Sequence, residues 1–392
     1  MISWEYPPRI VGGLARHVFW LSKELGNIGV EITIVSLDHP LAPMFEKQGK
    51  NTIVRCLSYR FPSPDFITWV YQFNCWMLEK ILTELRNDYD IIHVHDWLTA
   101  PIGLTLKHIF RKPLVVTIHS TEYGRRTGIH NDFQKHIHEI EWKEVFEAWK
   151  TIVCSEYMKK EVIAAFNVPL NKLSVIPNGV NPVSLDQKAN IIEARSRYAE
   201  PWENIVLYVG RMVFEKGVHI LVESARQLLS RRWDVKFILV GEGPLRANLT
   251  NSIEKIGLGN KFYFPGFLTD EEVKVLYNIC DIAVFPSLYE PFGIVALEAM
   301  SAGKTVIASD TGGLSDIIVH GFNGLKVSPS SSIDLEKAID YLLNHPKERS
   351  RMGHNGLNTV YEKFSWKSIA RHTKKIYQRV LEEYNKGSWK SS

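Results

Sequence analysis

Short apolar runs alternate with stretches of helical periodicity along the whole chain. In the first half, Ile2–Trp4, Glu31–Leu37, Ile53–Leu57, Ile91–Val94, Leu114–Ile118, Thr151–Cys154 and Ser174–Ile176 read as strands. Leu14–Gly26 and Phe73–Leu85 carry helical patterns between them. Strands apolar on both faces and separated by helices predict a parallel sheet covered on both sides. The rhythm then restarts, with strands at Ile205–Val209, Lys236–Val240, Phe262–Phe264, Ile282–Phe285, Thr305–Ala308 and Gly324–Val327. Val218–Leu229, Asp270–Asn278 and Ile294–Ala302 are among the helices of this second set.

The two sets meet at Pro177-Asn-Gly-Val-Asn-Pro182, which breaks helix and strand alike. The expected organisation is therefore one domain over 1–176, a linker over 177–182 and a second domain over 183–365. The last segment, 366–392, opens on a helix whose stripe of Ile369, Ile376, Tyr377, Val380, Leu381 and Tyr384 needs a surface to cover. It either finishes the second domain or crosses back to brace the first. Met1-Ile-Ser-Trp4 reads as the end of a buried strand, so the first strand is very short or the chain begins a few residues upstream. The length of 392 residues suits two domains of ordinary size.

Composition narrows the class of partner. Hydrophobic residues at 45% and charged residues at 23% are those of a globular protein. Residues 1–180 hold 20 basic and 19 acidic side chains, and no basic stripe suggests nucleic acid. Cys56, Cys75, Cys154 and Cys280 lie far apart without a CxxC pair, which argues for a reducing compartment. No stretch approaches the ~18 apolar residues of a membrane span, and no signal peptide opens the chain. A cytoplasmic location is expected. The tail is basic: Lys363, Lys367, Arg371, Lys374, Lys375, Arg379, Lys386 and Lys390 face only Glu382 and Glu383. A solvated helix face accounts for this; contact with an anionic lipid or polymer is the other reading.

Four segments carry candidate chemistry. The loop Pro7–Leu14 follows the first strand, and Gly12 and Gly13 let backbone approach a ligand at a helix start. A plain strand-to-helix turn would look the same. Tyr208–Gly217 follows the first strand of the second domain and presents Arg211 and Lys216 between Gly210 and Gly217. Such a pair suits a diphosphate, because Arg grips phosphate oxygens bidentately and Lys adds a compact charge. Two solvated cations are the bland alternative.

Glu290–Glu298 follows the strand Ile282–Phe285. Glu290 in the loop and Glu298 two turns into the helix can face one ligand. Phe292, Gly293 and Ile294 open that helix, with backbone N–H groups available to phosphate or sugar oxygens. A carboxylate accepting two hydroxyl hydrogen bonds is a natural grip on a sugar diol. Otherwise Glu290 caps the helix and Glu298 is merely exposed.

His93-Val-His-Asp-Trp97 ends a strand of the first domain, where ligands bind in open α/β sheets. A metal reading of His93 and His95 needs further ligands, with Asp96 and His119 imaginable; a histidine beside a sugar hydroxyl is favoured. His136, His138, Glu139 and Glu141 form a polar cluster with no zinc spacing, read as a solvated or interdomain helix face. Gly241-Glu-Gly-Pro-Leu-Arg246 ends in Arg where a dinucleotide fingerprint needs Gly or Ala, so a nicotinamide cofactor is disfavoured.

Gly12-Gly13-Leu14, His95-Asp96-Trp97, Val209-Gly-Arg211, Glu215-Lys216-Gly217 and the spacing of Glu290 to Glu298, in this order, resemble the retaining glycosyltransferases of family 4. The resemblance covers essentially the whole chain. It implies an α/β GT-B fold, two Rossmann-like domains with parallel sheets facing across a deep cleft, and a nucleotide sugar as donor. By position, Gly12 and Gly13 would approach the donor diphosphate, and Arg211 and Lys216 would neutralise it. Glu290 would hold donor-sugar hydroxyls, assisted by Phe292, Gly293 and Ile294, and Glu298 the ribose. His95 would contact the sugar near the reacting carbon. No cofactor or metal is implied.

His95-Asp96-Trp97, Thr117-Ile-His119 and Glu122-Tyr-Gly-Arg125 are similar to the glycogen-synthase-like branch. That branch implies ADP-glucose or UDP-glucose as donor and an α-glucan or a small sugar or sugar phosphate as acceptor. Asp96, Trp97, His119, Tyr123 and Arg125 would then line the acceptor side. The sequence departs from the branch at Ile10, where glycogen synthases carry lysine, and Arg9 lies one residue away. The rival readings are a nucleotide-sugar epimerase of the same fold, a binding scaffold with a dead site, and a transferase acting on a lipid-linked acceptor.

Overall fold

A computed structural model describes residues 1–85, 88–181, 191–387 and 389. Pro182 of the expected linker, residues 183–190 of the expected second domain and Lys390 of the basic tail lie outside the described residues. The chain divides into two compact units, one of Met1–Gly179 with Trp366–Ser392, the other of Val180–Ser365.

The first unit contains α1 (Gly13–Asn27), β1 (Ile32–Leu37), β2 (Phe45–Gln48), β3 (Asn51–Cys56), α2 (Phe66–Glu84), β4 (Ile92–His95), α3 (Ala100–Phe110), β5 (Leu114–Ile118), α4 (Glu122–Arg126), α5 (Asp132–Glu147), β6 (Lys150–Val153), α6 (Glu156–Phe166) and β7 (Leu173–Val175). The second contains α7 (Ile191–Ser196), β8 (Asn204–Val209), α8 (Val218–Leu229), β9 (Val235–Val240), α9 (Arg246–Lys255), β10 (Phe262–Gly266), α10 (Asp270–Ile279), β11 (Ile282–Phe285), α11 (Ile294–Ser301), β12 (Thr305–Ser309), α12 (Gly312–Ile317), β13 (Gly324–Val327), α13 (Ser332–Asn344) and α14 (Pro346–Lys363). The last helix, α15 (Trp366–Lys386), belongs to the first unit.

In the second unit six strands run parallel in the order β10-β9-β8-β11-β12-β13. The chain starts in the middle at β8, works outward to β10, then returns beside β8 with β11. The strand order therefore reverses between β8 and β11. Loops leaving the carboxyl ends of two such strands diverge and open a crevice, the usual ligand position in doubly wound sheets.

The first unit repeats the plan. Ile2 bridges in parallel both to Val35 of β1 and to Val94 of β4, so the segment expected as the first strand is a single bridging residue rather than a run. It links the β1-β3-β2 and β4-β5-β6-β7 ladders at the point where the order reverses. β2 departs from the parallel expectation, pairing antiparallel with β3 through the turn at Gly49. α2 begins seven residues earlier than its apolar pattern suggested, because Asp65 caps it by accepting from Thr68 N at 2.8 Å.

α15 packs its apolar stripe on α1. Trp366, Ile369, Ala370, Ile376 and Val380 join Leu14, Val18, Leu21, Leu25 and Ile34 in one core. His93 ties the same helix to the sheet, bonding Tyr377 Oη through Nδ1 at 2.6 Å and Thr117 Oγ1 through Nε2 at 2.8 Å. Both of its ring nitrogens are thus used structurally.

Candidate active site

In the second unit, the loops that leave β8 and β11 are tied together by backbone. Leu288 N and Tyr289 N, after β11, donate to Glu215 O, after β8, at 2.8 and 3.2 Å. Gly217 closes the β8 loop at φ +66°, and a Cβ there would fall on the Pro286 carbonyl oxygen. Only a residue without a side chain lets the two loops approach this closely. Tyr208 lies buried beneath them and donates its hydroxyl to Arg211 O at 2.9 Å.

On this base Lys216 Nζ meets Glu290 Oε2 at 2.7 Å, and Ser287 Oγ donates to the same oxygen at 3.2 Å. Glu290 is buried and Lys216 is mostly so. Arg211 is different: its side chain is 67% exposed and is held by Glu215 at 3.4 Å. Exposed pairs of this kind contribute little and exchange partners readily. Gly293, at φ +105°, turns the chain into α11, and a Cβ there would lie 2.6 Å from Leu314 Cδ2. Phe292, expected at the ligand, buries its ring 6.2 Å from that of Phe364. What this segment offers a ligand is backbone. Glu298 lies within α11, where its Oε2 accepts from Tyr277 Oη at 3.3 Å. Arg211, Lys216, Glu290, Gly293, Ile294 and Glu298 are thus all set on the loops and helix that follow β8 and β11.

In the first unit the corresponding loops follow Ile2 and β4. The loop of Gly12 and Gly13 is occupied by its own carboxylate: Glu5 Oε2 accepts from Val11 N at 2.6 Å and Gly12 N at 3.2 Å. Burial raises the Glu5 carboxyl above its ordinary range while these N–H groups pull it back. Arg9 is committed elsewhere, donating to Asp38 O at 2.8 Å and Ser58 Oγ at 3.3 Å. Ile10 is exposed.

After β4, Asp96 takes φ +59° and ψ +166°, an unusual conformation for a residue with a side chain. Its Oδ1 accepts from His119 N at 2.6 Å, which joins the ends of β4 and β5. Burial pushes the Asp96 carboxyl up to about 6. His95 has no exposed surface and bonds His119 through Nδ1···Nε2 at 3.2 Å, leaving His119 as the half-buried member of the pair. Trp97 is buried and Tyr123 exposed. Arg125 is held by Glu122 at 2.9 Å, Ser120 at 2.6 Å and Glu141 at 3.5 Å.

Glu141 is not on a solvated face, as expected from the sequence, but buried. It accepts Glu122 N on both oxygens, at 2.9 and 3.0 Å. Burial pushes its carboxyl up to about 8. Glu144, one turn on, is fully buried with neither carboxyl oxygen hydrogen-bonded among the described residues, and burial raises it well above the carboxylate range.

Residues 11–183 match the family described as Glycosyltransferase Family 4, and residues 191–359 the one described as Glycosyl transferases group 1. An uncharacterized glycosyltransferase of Methanocaldococcus jannaschii is 39% identical over 388 residues, covering 97% of this chain and 98% of its own length. This chain is a family 4 glycosyltransferase. The glycogen synthase of Mycobacterium tuberculosis is 31% identical to it over 96% of this chain and 93% of that protein. Sucrose-phosphate synthase from Thermosynechococcus elongatus superposes with a TM-score of 0.80 at 26% identity, covering 95% of this chain and 94% of that one. The two Rossmann-like units of the family 4 enzyme are those of the GT-B fold. Among its described residues no helix is long and apolar enough to cross a membrane.

Motif reasoning missed three residues of the transferase that the fold brings to this region. Glu5 precedes the glycine loop at a spacing that no motif marks. Asn178 sits in the segment that breaks helix and strand, and its Oδ1 lies 2.6 Å from His17 Nδ1. His17 shares the buried face of α1 with Leu14, Val18 and Leu21. A polar residue on an otherwise apolar stripe was the available signal.

Proposed function

We propose that this enzyme moves a hexosyl group, most simply glucosyl, from ADP-glucose or UDP-glucose to an α-glucan or to a small sugar or sugar-phosphate acceptor, with retention of anomeric configuration. The observation that carries the reading is the Lys216–Glu290 pair at the strand reversal of the second unit, beside the N-terminus of α11. The pair is a preassembled donor grip. Lys216 exchanges its carboxylate partner for a diphosphate oxygen, and Glu290, released, accepts from hydroxyls of the donor sugar. Arg211 swings from Glu215 onto the same diphosphate, and the first N–H groups of α11 face its charge. Glu298 takes the ribose diol.

A front-face substitution needs no nucleophile from the protein. The bond from the anomeric carbon to the diphosphate oxygen breaks as the acceptor hydroxyl approaches the same face. The departing oxygen then takes the acceptor proton. The protein's part is to hold cations where negative charge grows on the leaving group and to orient the acceptor. On the acceptor side the reading uses Asp96, Trp97, His119, Tyr123 and Arg125, and it sets His95 at the donor sugar near the reacting carbon. The likeness to a glycogen synthase supports a glucosyl donor, while Ile10 in place of lysine and the commitment of Arg9 to Asp38 favour trying small acceptors beside glucans. The reading places the enzyme in the cytoplasm, with the basic face of α15 as its one candidate contact with a membrane.

The test is a panel of nucleotide sugars assayed with glucan, glucose 1-phosphate and simple sugars, with product anomers assigned by NMR. An α-linked product that forms only when acceptor is present is expected. Conversion of the donor to an isomer without acceptor would contradict the proposal.

A further inference from the structure

Three ring nitrogens of the first unit, Nε2 of His17, Nε2 of His95 and Nδ1 of His138, are buried without a hydrogen-bond partner among the described residues, and the first two belong to one cluster. An amide oxygen only accepts, so His17 donates Nδ1–H to Asn178 Oδ1, and its Nε2 carries the lone pair. That Nε2 is buried and has no hydrogen-bond partner. Nε2 of His95 is in the same position. The ring of His17 lies 5.4 Å from that of His95 and 4.6 Å from that of His119, both edge-on. His17, His95 and His119 can each offer one ring nitrogen so that all three lie within 4.8 Å of one another. Among the described residues no other three His, Cys, Asp or Glu side chains converge in this way.

The surroundings suit a cation better than an anion or a proton. A metal ion takes its histidine ligands as neutral imidazoles, each through a free ring lone pair, as His17 Nε2 offers here. Asn178 does for His17 what hydrogen-bonded partners do for metal-ligating histidines, fixing the tautomer and aiming the lone pair. His119 is half-buried and gives a way in from solvent. The nearby carboxylate of Asp96 is already engaged by the His119 backbone.

We propose that His17, His95 and His119 form a binding site for a divalent transition metal of the zinc class, its fourth position left to water or a sugar hydroxyl. Three imidazoles without a carboxylate select zinc, cobalt, nickel or copper over magnesium or calcium. Among the described residues, the hydrogen bond such an ion displaces is that between His95 Nδ1 and His119 Nε2. On the reading of the proposed function, to which this consequence alone is tied, occupancy withdraws His95 and His119 from the sugars and inhibits the enzyme.

The test titrates chelator-treated, tag-free full chain with Co²⁺ and reads its visible absorption. Stoichiometric d–d bands of a four-coordinate ion, bleached by Zn²⁺, are expected. His17→Gln and His119→Gln should lose them, and Asn178→Ala should weaken affinity by about 10- to 100-fold. Circular dichroism checks that each variant is folded, and His119, the more exposed position, serves if His17→Gln is not. Absence of the bands in the wild type, or unchanged bands in both folded glutamine variants, would overturn the site. Bound cobalt with undiminished transfer would uphold the site and overturn the role of His95 and His119 at the sugars.

Discussion

Lys216 carries more of the proposed chemistry than any other side chain, and its environment says how to test it. It is paired to a buried carboxylate, so its removal strands that charge at some cost to the fold and takes a cation from the transition state. Lys216→Ala is expected to lower the transfer rate roughly a hundredfold, the ~3 kcal/mol of one charge-assisted contact at a developing oxyanion. Its melting temperature should fall while its circular dichroism stays that of the folded chain. Near-normal turnover would remove Lys216 from the mechanism.

Glu144 makes a prediction of the opposite kind, about stability rather than rate. Unfolded, it ionises in the ordinary carboxylate range; folded, it stays protonated far above that range. The unfolded state therefore sheds this proton first, and folded stability falls as pH rises through the interval. Glu144→Gln cannot ionise, so its melting temperature relative to wild type should climb between about pH 5 and pH 8. A difference independent of pH would contradict the assignment. Glu144 and Glu141 were opaque at the sequence level because charged residues on a helix are usually solvated, and only packing against β5 and α4 reveals their burial. Lys216, Glu290 and Gly293 were readable because each sits at a fixed step from a strand end.

At the scale of elements, α15 is the part whose role the sequence left between two answers. Its stripe of apolar residues required a surface but did not name one. In the structure Trp366, Ile369, Ile376 and Val380 enter the core of the first unit. Each is worth about 1.5–3 kcal/mol of burial. Together they rival the ~5–15 kcal/mol that holds an ordinary domain folded. A chain ending at Ser365 should therefore lose the cooperative unfolding transition of the first unit while keeping that of the second, as calorimetry would register. Two intact transitions would show that the helix is dispensable. Strands β1, β4, β5, β8, β9, β11 and β12 were evident from apolar runs because both their faces are largely buried. β2 was not, since its residues are largely exposed and carry no alternation to read.

For the molecule as a whole, the governing fact is that one topological device occurs twice. Each unit begins a strand in the middle of its sheet, builds outward, and returns to the other side. The repeated strand–helix rhythm made the two-unit plan readable. The reversal points were not, because strand order depends on long-range pairing that local patterns do not encode. Those points decide where the candidate residues gather: Glu5, Gly12, His95 and Asp96 in one unit, Arg211, Lys216, Glu290 and Glu298 in the other. Transfer as proposed requires the second of these gatherings to be a diphosphate seat. A crystal structure of the enzyme with a nucleoside diphosphate tests that directly. The account predicts Lys216 Nζ turned from Glu290 onto a phosphate oxygen, with Arg211 on the same group at the start of α11. A nucleotide bound elsewhere, with Lys216 still paired to Glu290 and Arg211 in solvent, would contradict it.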